Sequence, residues 1–145
     1  MPLITRLFIK SGLIFFLIAL LIGVSSQAEV LNFDGITPLF WHALMVGWIT
    51  QIIMGVSMWM FPGRVKEESF QNQKWGWLTF GFLNVGLGLR LIAEPFVNTS
   101  DTELWNILLV ISALFQFIAV AAYVIEIWPR VMSKRQRRKK RKDGV

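Results

Sequence analysis

The residues able to do chemistry are few, and they sit where the chain is most apolar. His42 is the only histidine among 145 residues, and its imidazole can ligate iron or make a hydrogen bond. Arg90 and Glu94 are one helical turn apart and can pair as ions. Gln51, Asn84 and Gln116 are amides that can bond to one another across helices. Ionisable groups inside an apolar span are costly and point to function by default. The alternative for Arg90 is a pair with Glu94 that snorkels to the surface. Glu126 stands near the end of the last apolar run, where water or a basic residue can meet it.

The elements that must position these groups are transmembrane helices. The chain is 54% hydrophobic with 17% charged residues, too few charges for the surface of a soluble domain. Four runs, about 7–24, 39–61, 75–96 and 104–128, are long enough to cross a bilayer core of about 30 Å. The expected fold is all-α, a four-transmembrane-helix bundle over 1–129 followed by a disordered basic tail, 130–145. Thr37-Pro38 reads as a helix start. Pro62-Gly63 and Pro95 read as stops, and Pro129 follows the fourth span. Ser100-Asp101-Thr102-Glu103 reads as a capping box opening that span.

Charge sets the orientation. Arg90 apart, the Lys and Arg are Arg6, Lys10, Arg64, Lys66, Lys74 and those of the tail, whereas Glu29, Asp34, Asp101 and Glu103 occupy the other two loops. The positive-inside rule therefore places both termini in the cytoplasm, and the bacterial inner membrane is the expected location. Trp41 and Trp105 at one interface and Trp59, Trp75, Trp77 and Trp128 at the other make an aromatic belt. A second reading treats residues 1–28 as a signal peptide cut after Ala28, leaving three spans. Asn98-Thr99-Ser100 matches a glycosylation sequon, a short pattern common by chance.

Depth sorts the polar groups into two layers. His42, Arg90 and Glu94 share a level near the outer face. Gln51, Asn84 and Gln116 form a midplane layer, read first as interhelical glue and second as a proton path or quinone site. Ala43, Gly47, Gln51 and Gly55 recur every four residues on one face, and Gly81, Asn84 and Gly88 share another, as close helix packing in lipid requires. At 100° per residue, His42 and Gln51 fall on opposite faces of their helix and are not expected to serve one pocket.

The stretch WHALMVGWITQIIMGVSMWMFP, with His42, Val46-Gly47-Trp48, Gly55 and Phe61-Pro62, resembles the second helix of subunit I of the haem-copper oxidase superfamily and of short subunit I-like membrane proteins. RLFIKSG, NVGLGLRLIAEP and WPRV add weaker support. The resemblance implies that His42 is an axial ligand of haem b. Depth would make Arg90 a propionate partner, although no motif of the family aligns there. His42 could ligate alone, pair with Met45 or Met54, or meet its copy in a symmetric dimer. A histidine hydrogen-bonded at the interface is the plain alternative. The superfamily's active site needs several further histidines, so a complete oxidase cannot be built here.

No nucleophile–base pair, phosphate loop or paired carboxylate site is visible, and the absence of cysteine removes disulfides, thiolate metal sites and c-type haem attachment. No catalytic residue is assigned. The tail KRQRRKKRKDGV lacks aromatics that would favour nucleic acid, and residues 130–142 suit anionic lipid at roughly 1 kcal/mol per basic side chain. Three functions are weighed: an accessory or structural protein of respiratory electron transfer that binds haem b; a haem- or quinone-linked electron-transfer protein; and a membrane scaffold recruiting an acidic partner. Assembly as a homo-oligomer or within a larger respiratory membrane complex fits the first two.

Overall fold

A computed structural model describes residues 1–28, 35–61, 74–97 and 103–131. Every regular element among them is helical: α1 Leu3–Gln27, α2 Ile36–Met60, α3 Lys74–Val97 and α4 Glu103–Ile127, with a 3₁₀ turn at Trp128–Arg130. All four are long and apolar enough to cross a membrane. The Pro62-Gly63 stop, the sequon, the first three residues of the capping box, Arg64 and Lys66, and the tail beyond Val131 lie outside the described residues.

Prolines punctuate less sharply than their sequence positions suggest. α2 begins at Ile36, with Gly35 rather than Thr37 as its N-cap. Pro38 is therefore the third helical residue, still within the first turn, where the missing N–H has no intrahelical partner to lose. α3 passes through Pro95 to Val97, because a proline in the last turn removes at most one helical hydrogen bond.

The helices alternate in direction. A Cβ on Gly55 would meet Phe8, one on Gly47 would meet Phe15, and one on Gly23 would meet Phe40, so α1 and α2 are antiparallel. Gln51 reaches Asn84 and His42 reaches Glu94, which makes α2 and α3 antiparallel. Ser112 bonds to Gly86 and Trp105 stacks on Phe96, which does the same for α3 and α4. The start of α1 and the end of α4 therefore lie at one end, called the terminus end, and His42 lies toward the other. The apolar core of Ile4, Phe8, Met54, Met58, Leu83 and Ala119 fills the terminus half. Outward-facing Leu17, Leu21, Val110 and Phe117 are exposed, as lipid contact requires.

Close approach is made by glycine, because in lipid packing and polar contacts, rather than hydrophobicity, join helices. At Gly55 an added Cβ would stand 2.7 Å from the Phe8 Cβ, and at Gly47 2.7 Å from the Phe15 Cβ and 2.9 Å from Leu87. The Ala43–Gly47–Gln51–Gly55 stripe is buried as a set. On α3, Gly86 is the glycine in tight contact, 3.0 Å from the Phe115 Cβ, whereas a Cβ on Gly81 or Gly88 meets nothing within 4 Å. The pairing of Gly81 and Gly88 as a packing face is thus corrected: among the described residues, both have open space where a side chain would stand.

This contrast gives a test. Gly55→Ala is expected to destabilise the protein by about 1–3 kcal/mol, the usual cost of overpacking, because a Cβ of Phe8 cannot swing aside without moving α1. Gly88→Ala is expected to be neutral or stabilising by up to about 1 kcal/mol through better helix propensity. Thermal unfolding in detergent compares the two.

Candidate functional site

The site is built where α2 crosses α3 at the end away from the termini. Glu94 is at its centre, with a side chain only 7% exposed. Its Oε1 lies 3.0 Å from Arg90 Nε, one turn earlier on α3, and 2.7 Å from His42 Nδ1 on α2. Arg90 donates a hydrogen bond to that oxygen. The imidazole is in close contact with that oxygen without making a hydrogen bond to it. Glu94 Oε2 is buried without a hydrogen-bond partner.

Two polar groups point away from this contact. The His42 Nδ1 atom is buried against Glu94, while the ring as a whole is 27% exposed and Nε2 bonds to no described residue. Arg90 is 22% exposed, and its two Nη nitrogens donate to no described residue. The arrangement presents one imidazole nitrogen and one forked cation at the edge of the bundle.

His42 begins a segment of π-helix, His42–Thr50, inside α2. Thr50 Oγ1 bonds to the carbonyl of Met45, five residues back, within that segment. The segment corrects the expectation that His42 and Gln51 face opposite ways. Nine steps of α-helix make two and a half turns, but bonding to the fifth residue winds the same nine into about two. Both side chains consequently face α3: His42 at Glu94, Gln51 at Asn84.

The midplane layer is divided. Asn84 Oδ1 accepts from Gln51 Nε2 at 3.0 Å and from Ser11 Oγ at 2.6 Å, while Asn84 Nδ2 bonds to the Phe80 carbonyl. Gln116 does not join them. It donates to Ser112 on its own helix, and Ser112 donates to the Gly86 carbonyl at 2.7 Å. Between Gln51 and His42, Gly47 packs against Leu87, which is fully buried. The amides and hydroxyls here act as contacts between α1, α2 and α3, and between α3 and α4.

A third polar cluster, at the terminus end, was not singled out from sequence as a set. Arg130 and Glu126 form a buried ion pair, and Arg130 Nη1 also donates to the Met58 carbonyl at the end of α2. Tyr123 shares a hydrogen bond of 2.8 Å with Ser57. The spacing of Ser112, Gln116, Ala119, Tyr123, Glu126 and Arg130 alternates four and three, the signal of one inward face. Arg130 is thus inside the bundle and not among the side chains offered to lipid. Met54 is also inward, in the core cluster of the terminus half, twelve residues from His42, and is excluded as its partner. Met45, one turn from His42, is 44% exposed.

No group of three or more His, Cys, Asp or Glu able to hold a bare metal ion occurs among the described residues. A family model described as NnrS protein matches residues 5–135. No curated protein and no solved structure matches the chain. The likeness to haem-copper oxidase subunit I is thereby corrected, since no model of that family matches. Of its carrying residues, Gly47 and Gly55 serve close packing of α1 on α2, a pattern common to membrane spans. With the match covering nearly the whole chain, the protein belongs to the NnrS family.

Proposed function

We propose that the chain is an integral membrane haem-binding protein, with His42 Nε2 as an axial ligand to the iron of a b-type haem and Arg90 as a propionate partner. The observation that carries this reading is the Glu94 carboxylate set 2.7 Å from His42 Nδ1. A ligating histidine almost always turns its other nitrogen to a carboxylate, carbonyl or water, which fixes the tautomer and raises the basicity of the ligand. The unbonded Arg90 Nη pair fits a carboxylate in bidentate geometry. The NnrS family is linked to haem binding and to the nitric oxide response, which supports the same reading.

Each residue has a separate task. Glu94 holds the imidazole edge and keeps Nε2 turned outward. Arg90 neutralises Glu94 in the apolar interior. His42 would hold the iron and Arg90 a propionate, while Met54 is packed in the core of the other half. A haem held there would supply one-electron chemistry and binding of a diatomic molecule such as nitric oxide. Arg6, Lys10 and Lys74 at the terminus end support placing that end in the cytoplasm, and hence His42 toward the outer face. In this reading the basic tail rests on anionic lipid.

The test is the absorption spectrum of the full chain purified in mild detergent from haem-replete cells. A Soret band with reduced α and β bands is expected, and nitric oxide should shift the Soret maximum. A colourless protein that also fails to take up added haem rejects the proposal.

A further inference from the structure

The nine-residue π-helix is the least ordinary feature of the chain, because such helices are mostly single turns inside α-helices and gather at functional sites. His42 is its first residue and Gln51 follows its last. Both ends of the segment are thus tied to α3, through Glu94 and through Asn84. Between the ties, Gly47 is in tight contact with Phe15 of α1 and Leu87 of α3, and Trp48 stacks on Phe16 at 4.0 Å. The segment is therefore held on two sides as well as at its ends.

The geometry specifies what the π winding achieves. Nine π steps make about two turns with a rise of about 10 Å. Seven α steps also make just under two turns and rise about 10.5 Å. Nine α steps would turn His42 about half a turn away from α3 and carry it about 3 Å further along the axis. The alternatives differ in whether the imidazole meets Glu94 or faces away from it.

We infer that residues 42–50 carry two residues more than an α-helical span needs, and that winding this surplus as π-helix is the positioning device that sets His42 against Glu94. The inference rests on the haem reading for its consequence but not for its geometry. Removing two residues should let the segment become α-helical with His42 still on α3. Removing one should leave the imidazole about a quarter turn off.

The chain contains no cysteine, so the geometry can be read without haem. His42→Cys with Glu94→Cys is introduced into the full chain, into a chain lacking Met45, and into one lacking Leu44 and Met45. Met45 is exposed and Leu44 partly so. Copper-phenanthroline cross-linking in membranes should be efficient in the first and third and at least tenfold weaker in the second. In parallel, the three backgrounds with His42 and Glu94 intact should show the same order in Soret absorbance per protein. A Gln51→Cys, Asn84→Cys pair below the segment should cross-link in all three, which certifies folding. Equal 42–94 cross-linking in all three, or its loss in the two-residue deletion while the 51–84 pair still forms, overturns the inference. Correct cross-linking order with no Soret band in any background overturns the haem reading instead and leaves the positioning intact.

Discussion

His42→Ala is expected to abolish the haem of the purified protein, with the Soret band falling more than tenfold while the helical content is unchanged. The reason is arithmetical as well as geometric. The chain has one histidine, and Met54, the buried methionine weighed as a partner, is packed in the core of the opposite half. No second imidazole can take over. Glu94→Gln should be milder, because Gln can still face Nδ1 with its carbonyl oxygen. Loss of a partner of a metal-bound histidine typically costs about 10–100-fold in affinity, and Glu94→Leu should approach that range. Arg90 complicates Glu94→Leu by losing its counter-ion, so Glu94→Gln is the cleaner variant. Asn84→Ala, at the midplane cluster, should retain haem. The four variants together separate the site at His42 from the packing contacts below it.

The second large effect concerns stability. Arg130→Ala leaves Glu126, 5% exposed, as a buried carboxylate without its partner, and also removes the donor to the Met58 carbonyl. Breaking a buried ion pair from one side costs about 3–5 kcal/mol. Glu126→Ala should cost less, because Arg130 keeps its bond to the Met58 carbonyl. The double variant Glu126→Ala, Arg130→Ala should be less destabilised than the sum, because the attraction within the pair is lost only once and no carboxylate is left buried without its cation. Denaturant unfolding in mixed micelles, followed by tryptophan fluorescence, measures all three. Strict additivity would contradict the coupling of the pair.

Much of the fold is legible from the sequence because bilayer thickness is a severe ruler. Four apolar runs bounded by polar loops leave little choice of element or direction, and the helices extend one to four residues beyond most expected limits because terminal turns tolerate polar residues. The Arg90–Glu94 contact follows from spacing alone. The π-helix does not. Nothing in HALMVGWIT signals bonding to the fifth residue, and the segment's contacts are with α1 and α3, whose residues lie tens of positions away. Reading that segment at 100° per residue turned His42 away from Gln51 and hid their common partner helix. The split of the amide layer was equally hidden, because Ser11 and Ser112 satisfy Asn84 and Gln116, and small hydroxyls carry no depth signal in an apolar run. Arg130 was assigned to the tail by composition, yet its position four residues after Glu126 is the spacing of a helical ion pair.

Isotope labelling gives the most direct measurement of the central claim. Because His42 is the only histidine, growth on ¹⁵N-histidine labels one imidazole. Pulsed electron paramagnetic resonance of the oxidised haem protein then reports whether that ring binds the iron. A strong ¹⁵N coupling of axial magnitude, replacing the ¹⁴N signal and absent in His42→Ala, is the result the account predicts. A haem signal unchanged by the label would contradict it.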